Sequence, residues 1–146
     1  MRLSWIILSP LLLIVVATGC RTIPLSGRYY VEKTLLTTGY CKCPICCGWT
    51  RDSRGNPVDS QGNAKVVGRT ASGTMARHGT IAADLNVYPI GTIMYVEGYG
   101  WGRVEDTGSA LKGDHIDLYF RSHQSALRWG KKYVKVKIWY PNGFHP

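Results

Sequence analysis

The chain has 146 residues, with 18 Lys and Arg against 9 Asp and Glu and a formal charge of +9. That length suits one domain around one core. The absence of tandem repeats and of long helical periodicity excludes solenoids and helix bundles. The positive excess fits nucleic acid, anionic lipid or an acidic polymer, and charge alone does not choose among them.

Residues 1–19 read as an export signal. Met1-Arg2-Leu3-Ser4 is a short basic start, Trp5 to Val16 is an apolar run interrupted by Ser9 and Pro10, and Ala17-Thr18-Gly19 is a small-residue end. The apolar stretch is short for a membrane span of about 20 residues. Ala17-Thr18-Gly19-Cys20 resembles a bacterial lipobox, which implies a lipidated Cys20 at the mature N-terminus; an ordinary signal followed by a free cysteine is the alternative. Residues 20–27 then form a tether, 28–140 the folded domain and 141–146 a tail. Export argues against nucleic acid and favours the carboxylate-bearing cell-wall polymer as the partner of a basic protein.

Along the domain, 28–40 is rich in aromatic and β-branched residues and reads as a strand. Residues 50–69 are polar and glycine-rich and read as a surface loop. Short strand-like runs follow at 79–84, 92–97, 101–105, 115–120 and 133–140, separated by turns such as Pro89-Ile90-Gly91 and Gly98-Tyr99-Gly100. One short helix is expected over His123 to Trp129, with Ser122 as N-cap and Gly130 as its stop. The pattern is all-β, a small barrel with one short helix.

The carboxylates are unevenly spread. Glu105, Asp106, Asp114 and Asp117 lie within thirteen residues, in a segment where carboxylates are poor strand formers and costly to bury. Strand alternation puts Ile116, Leu118 and Phe120 on one face and His115, Asp117 and Tyr119 on the other. The second face fits a sugar-binding groove or, equally, a solvated barrel surface.

The runs Ala71-Ser72-Gly73-Thr74, Gly79 to Asp84, Pro89-Ile90-Gly91-Thr92, Val96 to Gly100, Glu105-Asp106-Thr107-Gly108, Lys112-Gly113 and Ile116-Asp117-Leu118 resemble, in order and spacing, the 3D (three-aspartate) domain. That domain is the C-terminal part of membrane-bound lytic transglycosylase A and also occurs in small exported cell-wall proteins. The resemblance runs from about Thr37 to Ile138. It implies a six-stranded double-psi β-barrel and places the three family aspartates on Asp84, Asp106 and Asp117, lining one groove. Asp117 falls on the acid/base aspartate, with Asp106 as a charged or orienting neighbour. Such an acid should have its pKa raised from about 3.9 towards 6. Thr107, His115, Tyr119 and Trp101 are candidate substrate contacts, Trp101 by ring stacking or else simply as barrel packing. Leu85 stands where the family usually has proline, Ser109 where it often has a second glycine, and the transglycosylase's second, groove-walling domain has no counterpart here.

Cys41-Lys42-Cys43-Pro44-Ile45-Cys46-Cys47 places four thiols in seven residues. In an exported protein an even count favours disulfides, Cys41–Cys46 with Cys43–Cys47 or Cys41–Cys47 with Cys43–Cys46. A thiolate Zn²⁺ site is the alternative. No cofactor is otherwise expected.

The resemblance implies a peptidoglycan lytic transglycosylase that cleaves the MurNAc–GlcNAc bond with 1,6-anhydro ring formation. It would be a monomer held by its lipid in the cell envelope. With Arg21 rather than Asp after Cys20, it would sit on the outer membrane facing the periplasm of a diderm cell. The alternative is a non-catalytic peptidoglycan-binding lipoprotein.

Overall fold

A computed structural model describes residues 29–142 and Phe144. The signal segment 1–19, Cys20 and the tether 20–27 lie outside the described residues. Strand β1 (Val31–Tyr40) leads into a one-turn helix, α1 (Pro44–Cys47), and a small ribbon of β2 (Thr50–Arg51) and β3 (Pro57–Val58). Then come β4 (Thr80–Ala82), β5 (Ile93–Val96), β6 (Gly100–Asp106), β7 (His115–Tyr119), α2 (His123–Trp129) and β8 (Lys132–Trp139). The six longer strands close into a barrel in the order β1-β7-β4-β6-β5-β8, with β8 returning to β1.

All six barrel strands fall on the runs read as strands, and α2 has the expected bounds. Ser122 caps α2 through its Oγ, which accepts from the Ser125 N–H, and Gly130 ends it at φ 69°. The turn α1 is not among the predicted elements. Pro44 starts it and Gly48, at φ 56°, closes it by donating to the Pro44 carbonyl. The ribbon gives the predicted loop 50–69 some paired structure.

The barrel interior holds Leu35, Ile81, Met94, Val96, Val104, Ile116, Leu118, Val136 and Ile138, all fully buried. Each alternates with residues pointing outwards, as strand geometry requires. A second cluster, Tyr40, Ala82, Leu111 and Tyr119, packs on the outer face of β1, β7 and β4, against Cys46, Cys47 and Ala76. The chain between β1 and β4 therefore covers this face.

Two glycines set close approaches. A Cβ on Gly39 would lie 2.9 Å from the Ala126 carbonyl oxygen, so only glycine lets α2 lie against β1. A Cβ on Gly102 would lie 2.6 Å from Ile81 Cδ1 and 2.8 Å from the Gly79 carbonyl oxygen. Gly102→Ala is therefore expected to overpack β4 against β6 and cost about 1–3 kcal/mol, read as a lower urea midpoint at unchanged m-value.

Tyr99, in the expected turn 98–100, is buried core. Its hydroxyl accepts from the Gly79 N–H at 3.0 Å and donates to the Tyr119 carbonyl at 2.8 Å. Glu105 is also buried, and it is satisfied by the Thr80 hydroxyl at 2.7 Å and by Arg77 at 3.3 Å.

Candidate active site

Strand β4 organises the site. Ala82 is in register with Asp117 on β7 at one side and with Asp106 on β6 at the other. Two strand spacings separate the aspartate backbones, roughly 10 Å. A bulge between Ile81 and Ala82 in the β4–β6 pairing skips Glu105 and brings Asp106 opposite Ala82. Across β7, Thr38 of β1 pairs with Asp117 and Tyr40 with Tyr119.

These residues line a cavity of about 650 Å³ on the outer face of the barrel. One wall comes from the β1–β4 connection through Lys42, Cys47, Lys65 and Arg69, another from 107–111 after β6. Asp117, Asp106, Thr107, His115 and Tyr119 all line it.

Asp117 is half-buried, and its Oδ1 is fully enclosed with no hydrogen-bond partner. Burial pushes its pKa up to about 6, and the charge of Asp106 adds to the rise, while Thr38 and the Leu118 N–H oppose it. This is the direction expected for a proton donor.

Asp106 is held differently. Its Oδ1 accepts from the N–H groups of Ala71 at 3.0 Å and Thr107 at 2.9 Å, and its Oδ2 accepts from the Tyr40 hydroxyl at 3.3 Å. Burial first, then Asp106, hold the Tyr40 phenol far above its ordinary range, so it stays a donor. Thr107 donates its hydroxyl to the Ala83 carbonyl at 2.9 Å, fixing the turn. His115 Nε2 lies 3.0 Å from the Thr38 hydroxyl, and burial with nearby Lys131 lowers its pKa, favouring the neutral ring. Tyr119 is buried, with its ring edge-on to Tyr40 at 5.4 Å, and burial raises its pKa. Ser72 and Thr74 belong to a hydroxyl-bonded turn with Thr70.

Two predicted site residues lie elsewhere. Asp84 is not part of the cavity lining. Its carboxylate accepts from the Gly113 N–H at 3.0 Å and from the N–H and side-chain amide of Asn86 at 3.1 Å each. Those bonds, Gly113 first, lower its pKa, so Asp84 ties the β6–β7 loop to the end of β4 as a carboxylate. Trp101 points away from the cavity. It is 53% exposed and packs between Tyr95 at 5.2 Å and Trp139 at 5.1 Å, beside a separate shallow groove with Arg77 and His78. Asp114 accepts from the Tyr88 hydroxyl and pairs with Lys33 at 3.3 Å.

Sequence reasoning missed Tyr40, Thr38, Lys42, Lys65 and Arg69. The first two share a face of β1 by simple alternation. Lys65 and Arg69 come from the region read only as a loop, and Lys42 from the cysteine segment. The four clustered cysteines are free thiols. Cys47 donates to the Cys41 carbonyl at 3.1 Å and lines the cavity together with Cys46, and Cys46 also gathers with Cys41, Cys43 and His123.

The 3D domain family model matches residues 79–140. The sequence resemblance runs from about Thr37, so the cysteine segment and the Ala71–Thr74 turn fall outside that match. YabE of Bacillus subtilis (strain 168), whose name refers to cell wall shaping, is 42% identical over 106 residues, which is 72% of this chain and 22% of YabE. The cell wall-binding protein YocH of the same organism is 50% identical over 58 residues, 40% of this chain and 20% of YocH. The chain thus spans about a fifth of the length of these curated relatives. The crystal structure of E. coli MltA with bound chitohexaose is 23% identical with a TM-score of 0.42, over 56% of this chain and 30% of that one. Asp84, Asp106 and Asp117 all lie inside the matched region, and the chain carries a 3D domain over residues 79–140.

Proposed function

We propose that the chain cleaves peptidoglycan glycan strands as a lytic transglycosylase, with Asp117 as its acid/base. The observation that supports this best is the half-buried Asp117 carboxyl, with Oδ1 unpartnered and pKa raised to about 6, facing a cavity large enough for sugar rings. The neutral carboxyl gives its proton to the oxygen of the MurNAc–GlcNAc bond as that bond breaks. The resulting carboxylate takes the proton of the muramoyl C6 hydroxyl, whose oxygen attacks C1 and closes the 1,6-anhydro ring. No water is consumed, so one carboxyl group serves both proton transfers, where ordinary glycosidases need two.

Asp106 stays in place as a hydrogen-bonded neighbour whose charge helps to keep the Asp117 proton on. Thr107, His115 and Tyr119 offer polar contacts for sugar hydroxyls. The β1–β4 connection walls one side of the cavity. In this reading Cys20 carries lipid and holds the enzyme, as a monomer, at the envelope membrane that faces the wall.

Lys42, Lys65 and Arg69 put three cations around the cavity, which suits a polymer bearing stem-peptide carboxylates. Lys42 and Arg69 are exposed. The double variant Lys42→Ala/Arg69→Ala should bind sacculi several-fold more weakly in low salt. The difference should shrink as salt shortens the screening length towards about 3 Å at 1 M. Co-sedimentation across a salt series measures this.

A second reading, a non-catalytic wall-binding module, is favoured by the name of YocH, a cell wall-binding protein. Release of soluble material from purified sacculi separates the two. The enzyme releases muropeptides with time, whereas a binding module only co-sediments.

A further inference from the structure

We propose that Cys41, Cys43, Cys46 and His123 form a four-ligand site for a structural zinc ion. The site is separate from the glycan reading and does not depend on it.

The four ligand atoms all lie within 4.8 Å of one another. Cys41 Sγ is 3.8 Å from Cys46 Sγ, and His123 Nδ1 is 3.3 Å from Cys46 Sγ and 3.6 Å from Cys43 Sγ. A tetrahedral zinc with Zn–S near 2.3 Å and Zn–N near 2.0–2.1 Å has S···S edges of about 3.8 Å and S···N edges of about 3.6 Å. The cluster therefore already has the size of a zinc tetrahedron, whereas a disulfide would need sulfurs about 2.05 Å apart.

The fold builds this cluster from two distant pieces. Cys41 follows β1 directly, and Pro44 and Gly48 wind α1 so that Cys43 and Cys46 face the same side. His123 is the first residue of α2. Gly39 brings α2 against β1 at Ala126, and so delivers His123 to the end of β1. Trp49 Nε1 donates to the Lys42 carbonyl at 2.9 Å and fixes the loop from behind.

Three sulfur ligands and one imidazole select zinc over hard cations such as Ca²⁺ and Mg²⁺. Four protein ligands close the coordination shell, which is the pattern of a structural ion rather than a catalytic one. Binding releases three thiol protons and leaves a net charge of −1 on the centre. Lys42, Arg51 and Arg121 line the adjacent groove and offset that charge. Cys47 stands apart, bonded to the Cys41 carbonyl. The ion would tie the 41–48 loop to α2, and Cys46 and Cys47 carry that tie to the wall of the Asp117 cavity.

The test needs no glycan. The full chain, purified in detergent, is loaded with Zn²⁺ under reducing conditions, freed of excess metal and measured by atomic emission. Co²⁺ loading reports thiolate ligation through its charge-transfer and tetrahedral d–d bands. One equivalent per chain is expected in the wild type and in Cys47→Ser. Cys43→Ser and His123→Ala should lose at least roughly tenfold in affinity, and His123→Cys should keep the metal and shift the Co²⁺ spectrum. Wild-type protein that retains no metal, its thiols either free or paired in disulfides, overturns the site. Equal retention by every variant also overturns it, because the metal would then be held elsewhere.

Discussion

Asp117→Asn is expected to lower the rate of glycan cleavage by about 10²–10⁴, the usual weight of a positioned proton donor, and to leave binding to sacculi within a few-fold of wild type. Asparagine keeps the shape of the side chain and the pairing of Ala82 with position 117, so the barrel should stay closed. What it removes is the proton. Asp117 has no hydrogen bond at Oδ1, and an asparagine oxygen can still accept from Thr38 and the Leu118 N–H as the carboxylate does. Release of soluble muropeptides over time measures the rate, and co-sedimentation measures the binding. Wild-type rates in the variant would transfer the acid's role to another group.

The second large effect is on stability, and it runs against the first. Burial raises the Asp117 pKa from 3.8 to about 6. Between those two values the folded chain holds a proton that the unfolded chain has lost. Stability must therefore fall as pH rises through that window, and the penalty is complete above about pH 6. A shift of roughly two units corresponds to about 2–3 kcal/mol. The substituted asparagine does not titrate, so the stability gap between Asp117→Asn and wild type should grow by about 2–3 kcal/mol from about pH 3.5 to about pH 7. Urea denaturation of both proteins at the two pH values measures it. A gap that does not change with pH would mean that Asp117 is solvated and ordinary. Activity should show the same ionisation, with the wild-type rate falling about tenfold per pH unit once Asp117 has lost its proton. A carboxyl group kept at a cost to stability is what an acid site requires.

Much of the barrel was legible because its strands alternate cleanly. Ile116 and Leu118 on one face, with Asp117 and Tyr119 on the other, needed only the two-residue period of a strand. Ser122 and Gly130 marked α2 for similarly local reasons. What stayed hidden depends on residues far apart in sequence. Asp84 looked like a groove residue, but its partner Gly113 lies 29 positions on, across a loop whose path no local pattern reveals. Trp101 pairs with Tyr95 on the outside of the β5–β6 hairpin, an orientation set by strand register rather than composition. The bulge that aligns Asp106 with Ala82 has no local sequence signal either. The cysteine cluster was visible, but its fourth member was not. His123 lies 77 positions from Cys46, and only the Gly39–Ala126 contact shows why they meet.

The most direct measurement is the chemistry of the products. Purified sacculi are digested with the wild-type chain and the soluble fraction is analysed by mass spectrometry. Muropeptides ending in 1,6-anhydromuramic acid are expected, and none when Asp117→Asn replaces the wild type. Reducing-end products carrying one added water, or intact sacculi with the protein merely bound, would contradict it.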